Sequence, residues 1–277
     1  MLAINEITIR LSFFFGILIL MFTLELLAPR RKLNVSKMKR WTSNLAIVFI
    51  DSAIIRILFP AAAVGVAMYA HQHYIGIFNQ VIHLNDSLIV IASIIILDFA
   101  IYLQHVIFHA IPLFWRFHRM HHIDLDFDVS TGVRFHPIEM ILSLLIKFGV
   151  IILIGAPAFA VMIFEILLNA TSMFSHGNVR LPLSLDKIIR SIFVTPDMHR
   201  VHHSDIPNET NSNFGFNFSI WDRFFGTYSA QPRLGHEQMV IGIKEIREPQ
   251  YCLNLLGMLW IPFIKENRTY PINRKQT

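Results

Sequence analysis

The sequence predicts an all-α integral membrane protein: about four transmembrane helices with a cytoplasmic, histidine-rich helical cap. Three observations lead there. Apolar residues make up 54% of the 277-residue chain and only 16% are charged, against roughly a quarter charged in an ordinary soluble domain. That apolar excess lies in runs long enough to cross a bilayer. Eight of the fourteen histidines fall in three short clusters, a concentration that scattered core histidines would not give.

Residues 11–28 (LSFFFGILILMFTLELLA) form the first run, near the ~20 residues a bilayer requires, and Pro29 ends it. A cleaved leader is the weaker reading. Arg10 is the only cation ahead of the run, and no small-x-small cleavage pair follows. Arg30, Arg31, Lys32, Lys37, Lys39 and Arg40 then make a cationic loop, which the positive-inside rule keeps cytoplasmic with the N-terminus outside. Residues 43–69 make a second span, in which Asp51 and Arg56 are expected to face other helices. The loop 70–86 has no Lys or Arg and suits the outer side. Its His71, His73 and His83 read as interfacial residues rather than ligands.

Residues 87–110 form a third span. Its second half carries Asp98, Tyr102, His105 and His109 at gaps of four, three and four, so all four share one helix face. A polar stripe inside a bundle is the plain alternative, but ionisable groups within a span are costly and point to function. Residues 140–176 are apolar and interrupted at Gly155-Ala156-Pro157. A helical hairpin of two spans is preferred there to one kinked helix. The cap then comprises 111–139 and 177–277, and the whole chain 1–277 reads as one membrane-embedded domain. Within it, 251–264 is apolar but too short to span and reads as an interfacial helix.

The formal charge of +5 resides in cations that flank apolar runs. Membrane orientation explains them better than nucleic acid does. The single cysteine, Cys252, excludes an intramolecular disulfide, a cysteine zinc site and an iron–sulfur cluster. It reads as an inert, half-buried thiol.

The histidine clusters are His105-x-x-x-His109, His118-x-x-His121-His122 and His199-x-x-His202-His203. On a helix, the first histidine of each shares a face with those three or four residues later, so each cluster can aim two or three nitrogens at one point. Eight or nine imidazoles exceed the roughly four that one zinc takes and point to two ions. HExxH is absent. Imidazole suits iron as well as zinc, copper and nickel, and two irons with open positions would bind and reduce O2.

The chain resembles the fatty acid hydroxylase/sterol desaturase superfamily of membrane di-iron oxygenases. The resemblance rests on D98-FAI-Y102-LQ-H105-VIF-H109, L113-FWRF-H118-RM-H121-H122, R134-F-H136-PI-E139, N169-ATSMFS-H176, D197-M-H199-RV-H202-H203 and N213-FGFNFSIWDRFFGT-Y228. By motif it covers about 98–228. It implies His105, His109, His118, His121, His122, His199, His202 and His203 as metal ligands and His176 as a ninth. Some relatives have a second histidine near His176; this chain has Asn169 seven residues upstream, which could act through water. His136 is weighed as ligand or as a structural residue at the helix start that Pro137 signals. A ligating histidine donates its other N–H to an acceptor, and Asp98, Asp124, Glu139, Asp197 and Asp205 are candidates. Asp197 is equally well an N-cap, and Tyr102 either lines a substrate tunnel or packs the core. Arg116, Arg119, Arg134 and Arg200 could pair with these acids or with lipid phosphates.

The implied cofactors are two iron ions, with O2 as co-substrate. The implied substrate is a membrane lipid, hydroxylated or desaturated at a C–H bond. No GxGxxG, P-loop or CxxCH occurs, so electrons are expected from a separate donor, cytochrome b5-like or ferredoxin-like with its reductase. A membrane metal transporter or metal sensor is the alternative from another class. A zinc hydrolase is a third, weakened by the missing HExxH glutamate.

Overall fold

A computed structural model describes residues 2–82, 84–265 and 272. His83 and the tail beyond Lys265, apart from Ile272, lie outside the described residues. The chain is all-helical: among the described residues no strand forms, only four isolated bridges. Five helical segments are long and apolar enough to cross a membrane, against the four expected, because the 140–176 segment counts twice.

Helix α1 (Leu2–Leu27) is apolar on all sides and stops ahead of Pro29. Its one buried carboxylate, Glu25, accepts from Lys37 Nζ at 2.7 Å, from the Val129 amide at 2.7 Å and from the Asn178 amide at 3.0 Å. This ties the end of α1 to two cap loops. The expected span 43–69 is not one helix. It divides into α2 (Lys37–Leu58) and α3 (Ala62–Gln72). Pro60 has no N–H and disfavours the helical conformation at Phe59 before it, so the chain breaks there. A one-turn α4 (Ile77–Gln80) follows. Asp51 is buried as expected, but Arg56 is exposed in the last turn of α2, where a long side chain can reach the interface.

Helix α5 (Asp86–Ala110) is capped by the Asn85 side chain, which accepts from the Leu88 amide. Helix α6 (Pro112–His122) starts immediately after it, with Pro112 at its first position. Helices α7 (Pro137–Ile154) and α8 (Ala158–Ser175) form the expected hairpin, turned at Gly155. Gly155 sits at φ 70, and a Cβ there would lie 2.8 Å from the Ile75 carbonyl. The α3–α4 loop therefore closes over the hairpin turn, far from the histidines; His71 and His73 are exposed beside it. Leu97, Ile101, Ile151, Val161 and Phe164 form the core where α3, α5, α7 and α8 meet.

The cap is built from short helices: α9 (Leu183–Ile189), α10 (Pro196–His202), α11 (Pro207–Thr210), α12 (Ile220–Phe224), α13 (Gly235–Gln238), α14 (Pro249–Cys252) and α15 (Leu255–Trp260). The 251–264 stretch, expected as one interfacial helix, is divided between α14, α15 and a final 3-10 turn. A buried ion network fastens the cap to α2. Arg40 grips Asp124 through two nitrogens at 2.7 and 2.8 Å, Asp128 at 2.6 Å and the Thr131 hydroxyl at 2.9 Å. Burial alone would raise the Asp124 carboxyl, but Arg40 and Arg134 hold it well below the usual range. Part of the cationic loop thus serves the fold: Arg40 is fully buried, and Arg30 pairs with Asp197 at 3.1 Å. Cys252 is wholly buried rather than half-buried, and burial pushes its thiol up to about 12.

Candidate metal centre

Four helix ends converge on one buried knot of nine histidines. His105 and His109 come from the last turns of α5, and His118, His121 and His122 from the end of α6. His176 closes α8; His199 and His202 lie on α10, which His203 terminates. Each is at most 4% exposed. They form two groups whose ligand atoms lie within 4.8 Å of one another: His105, His109, His118, His122 and His202 in the first, and His121, His176, His199 and His203 in the second.

The division cuts across the sequence clusters, contrary to the expectation that each aims at one point. From α6, His118 and His122 serve the first group while His121 serves the second. From α10, His199 and the adjoining His203 serve the second while His202 serves the first. Residues four apart keep together, and the third ring of each box turns to the other group. Each short helix therefore contributes to both.

The proton positions follow from the neighbours. Nδ1 of His105 donates to the Phe214 carbonyl at 2.8 Å, of His121 to the Arg134 carbonyl at 3.0 Å, of His176 to the Ser172 carbonyl at 2.7 Å and of His202 to the Ser212 carbonyl at 2.7 Å. His118 Nδ1 donates to Glu139 Oε1 at 2.6 Å, and His109 Nδ1 to Asn211 Oδ1 at 3.1 Å. A carbonyl oxygen can only accept, so the ring proton sits on Nδ1 and Nε2 carries a lone pair.

Those lone pairs face one another. Nε2 of His105 lies 3.1 Å from Nε2 of His118, and Nε2 of His176 lies 3.1 Å from Nε2 of both His121 and His199. In the His105–His118 and His121–His176 pairs both Nδ1 protons are committed, so no proton remains to bridge them, and bare lone pairs at that distance repel. A cation between them removes the conflict. Burial also keeps the rings neutral: it pushes His118 and His176 down to about 3. Burial and neighbouring imidazoles together hold His121, His122, His199, His202 and His203 well below their ordinary value. Two groups of neutral nitrogen donors fit two imidazole-binding metal ions.

The surrounding residues sort differently from expectation. Glu139 is an acceptor for a histidine of the knot, as anticipated. Asp98, Asp124 and Asp197 have other partners. Asp98 accepts the Asn217 and Phe218 amides and Trp221 Nε1. Asp197 is not the N-cap of α10; Thr195 is. Asp197 instead binds Arg30 and Arg200 and faces His236 Nε2 at 3.6 Å. Tyr102 bonds Thr227 Oγ1 at 3.1 Å and stacks on Phe225. Asn169 lies in the crevice between α1 and α8 among Arg10, Phe14 and Ile17, and its amide donates to the Glu165 carbonyl. It does not face the knot. His136 belongs to neither group. Its Nδ1 accepts from the Ile138 amide at 3.1 Å as the N-cap of α7, and its Nε2 donates to the Leu259 carbonyl at 3.3 Å, so both nitrogens are used. Sequence reasoning missed the 211–214 loop, whose oxygens orient His109, His202 and His105. It also missed His236, which burial pushes down to about 4 beside Asp197.

Residues 89–227, which contain all nine histidines, match the family model for fatty acid hydroxylase. The chain belongs to the fatty acid hydroxylase family. Among curated members, it is 30% identical over 190 residues to the ornithine lipid hydroxylase OlsE of Rhizobium tropici, a match covering 67% of this chain and 54% of that protein. It is 32% identical over 172 residues to alkylglycerol monooxygenase of Xenopus tropicalis, covering 59% and 36%. With the Homo sapiens alkylglycerol monooxygenase it shares 28% over 151 residues, covering 53% and 31%. This fatty acid hydroxylase family member thus spans about half the length of the first relative and about a third of the other two. No solved structure matches it.

Proposed function

We propose that this protein is an O2-dependent, di-iron membrane oxidoreductase that hydroxylates a lipid C–H bond. The observation that carries the reading is the pairing of Nε2 lone pairs across the knot, with their Nδ1 protons committed outward. His105, His109, His118, His122 and His202 would hold one iron, and His121, His176, His199 and His203 the other. When bound, the pair of irons supplies reduction of O2 to an oxidant able to take hydrogen from an unactivated carbon. The balance is one C–H bond, O2, two electrons and two protons giving one C–OH bond and water.

The protein's own residues supply the rest. Glu139 and the 134, 172, 212 and 214 carbonyls fix ring orientation and tautomer. The helical walls exclude water. The relatives' names support hydroxylation over desaturation, and a lipid as the substrate. A transporter is disfavoured because the nine rings gather in one closed knot instead of lining a path.

Electrons would come from a separate acidic carrier, cytochrome b5-like or ferredoxin-like. A groove of about 1090 Å³ between the loop after α1 and the 237–247 segment is its proposed dock. Arg30, Arg31, Lys32, Lys37 and Arg247 line it, with Glu25 and Glu237 as the opposing acids. On its floor, Met239 and Ile241 pack on Phe127, whose ring lies 5.4 Å from His176 and 5.0 Å from His203. Charge reversal of Lys32 and Arg247 that left reduction rates unchanged would count against this dock. The proposed sidedness puts the knot in the cytoplasm and the N-terminus outside.

The deciding experiment combines metal analysis of the purified protein with comparative lipidomics of cells with and without the gene. Two irons per chain and a gain of one oxygen in one lipid class are expected. Zinc occupancy, or no lipid change, would overturn the reading.

A further inference from the structure

We propose that α9 and α12 form a wedge embedded in the acyl region of one bilayer leaflet, so that part of the cap lies within the membrane rather than above it. The inference rests on α5 spanning the bilayer and is independent of the chemistry at the histidines.

The two short helices form one unit. The Ser219 amide donates to the Ile192 carbonyl at 2.9 Å, and the Val194 amide to the Asn217 carbonyl at 3.0 Å. The Arg190 carbonyl accepts from Ser219 Oγ at 2.7 Å and from Arg223 Nη2 at 3.0 Å. Arg190 also pairs with Asp186 at 2.7 Å, which turns the polar side of α9 inward. Outward, the unit presents Leu183, Ile188, Ile192, Ile220, Phe224 and Phe225; Leu183 and Phe224 are each 80% exposed and Ile188 is 70% exposed. An apolar patch of this kind on a water-facing surface would be an aggregation hazard.

The attachment point sets the location. Asp98 takes the Asn217 and Phe218 amides and the Trp221 indole N–H. The rings of Trp221 and Phe225 lie 4.8 and 5.8 Å from Phe99. Asp98 is midway along α5, about 18 Å from either end at 1.5 Å per residue. The unit is therefore seated beside the span and not beyond its tip, and its apolar face continues the exposed face that Ile91 and Ile95 give α5. Lys187, exposed on α9, suits an interfacial unit whose cation reaches up to lipid phosphates. This continuity with a membrane-facing helix identifies acyl chains as the occupant.

The test uses the full chain in lipid nanodiscs, with Cys252→Ala and one new cysteine at a time: Phe224→Cys, Ile188→Cys or Leu183→Cys, each labelled with a small fluorophore. Gln238→Cys, exposed in the basic groove, is the aqueous control. Doxyl-labelled lipids should quench the wedge positions several-fold more than aqueous iodide does, and the order should reverse at Gln238. Iodide quenching equal to the control at all three positions would overturn the proposal. Protection from both quenchers would overturn it too, by showing that a protein partner or a second copy covers the face. Since all three side chains point outward, monodisperse elution of at least one variant keeps the measurement decisive.

Discussion

At the residue scale, the knot depends on groups that ligate nothing. Glu139 fixes His118 through a 2.6 Å bond, and losing such a partner typically costs about 10–100-fold in metal affinity. Glu139→Ala is therefore expected to lose metal to a chelator far sooner than the parent, with Glu139→Gln intermediate because it retains an acceptor oxygen. Metal-to-protein ratios after timed chelator exposure measure this. His136 makes the opposite case. As the N-cap of α7 it accepts from the Ile138 amide, so His136→Ala should cost about 1 kcal/mol of stability while leaving metal content unchanged. Loss of metal in that variant would contradict the assignment. The ligand-type residues were legible in the sequence because histidine at helical spacing has few other uses. Most of their supports were not. Backbone carbonyls of Phe214, Arg134, Ser172 and Ser212 accept the outward protons, and a carbonyl leaves no mark on residue identity. A search confined to nearby carboxylates could find only Glu139.

At the element scale, the hairpin of α7 and α8 was readable from Gly155-Ala156-Pro157, while the break between α2 and α3 was missed although Pro60 marks it. Hydropathy passes smoothly over a lone proline, whereas backbone sterics do not. The hairpin turn can be tested directly. Gly155 has φ 70, and a Cβ would meet Asn79 Nδ2 at 2.6 Å and the Ile75 carbonyl at 2.8 Å. Gly155→Val combines left-handed strain of about 1–2 kcal/mol with that clash, so a clear drop in melting temperature is expected in detergent. Unaltered melting would mean that the loop does not seat on the turn. The split of each HxxHH box between two groups was beyond the sequence for a different reason. Spacing reports which residues share a face, but which way that face points depends on how α6 and α10 are docked.

At the scale of the whole molecule, burying so many neutral imidazoles makes stability depend on pH. In the unfolded chain a histidine takes up its proton near 6.5. In the folded, metal-free protein His118 and His176 resist it down to about 3 and His236 down to about 4. The unfolded state therefore binds more protons throughout that window. The stabilisation is complete above about pH 6.5 and is lost as the pH falls toward 3, at about 1.4 kcal/mol per pH unit for each such histidine. Melting of chelator-treated protein between pH 8 and 4 should show a steep decline beginning near 6.5; a flat profile would mean the rings are not buried neutral. The architecture behind this is a helical bundle whose fastening to the cap runs through Arg40, Glu25 and Asp98. Composition announced the membrane class, but gave no sign that charged side chains would serve as rivets.

The interleaving of the two histidine groups also bears on how the protein matures. Because α6 and α10 each lend rings to both groups, seating the first ion fixes rings that the second needs. Filling should then be an all-or-none event, running from empty chains directly to chains with two metals. Native mass spectra taken during reconstitution should lack a populated one-metal species, and a nascent chain could not begin to load until synthesis had passed His203.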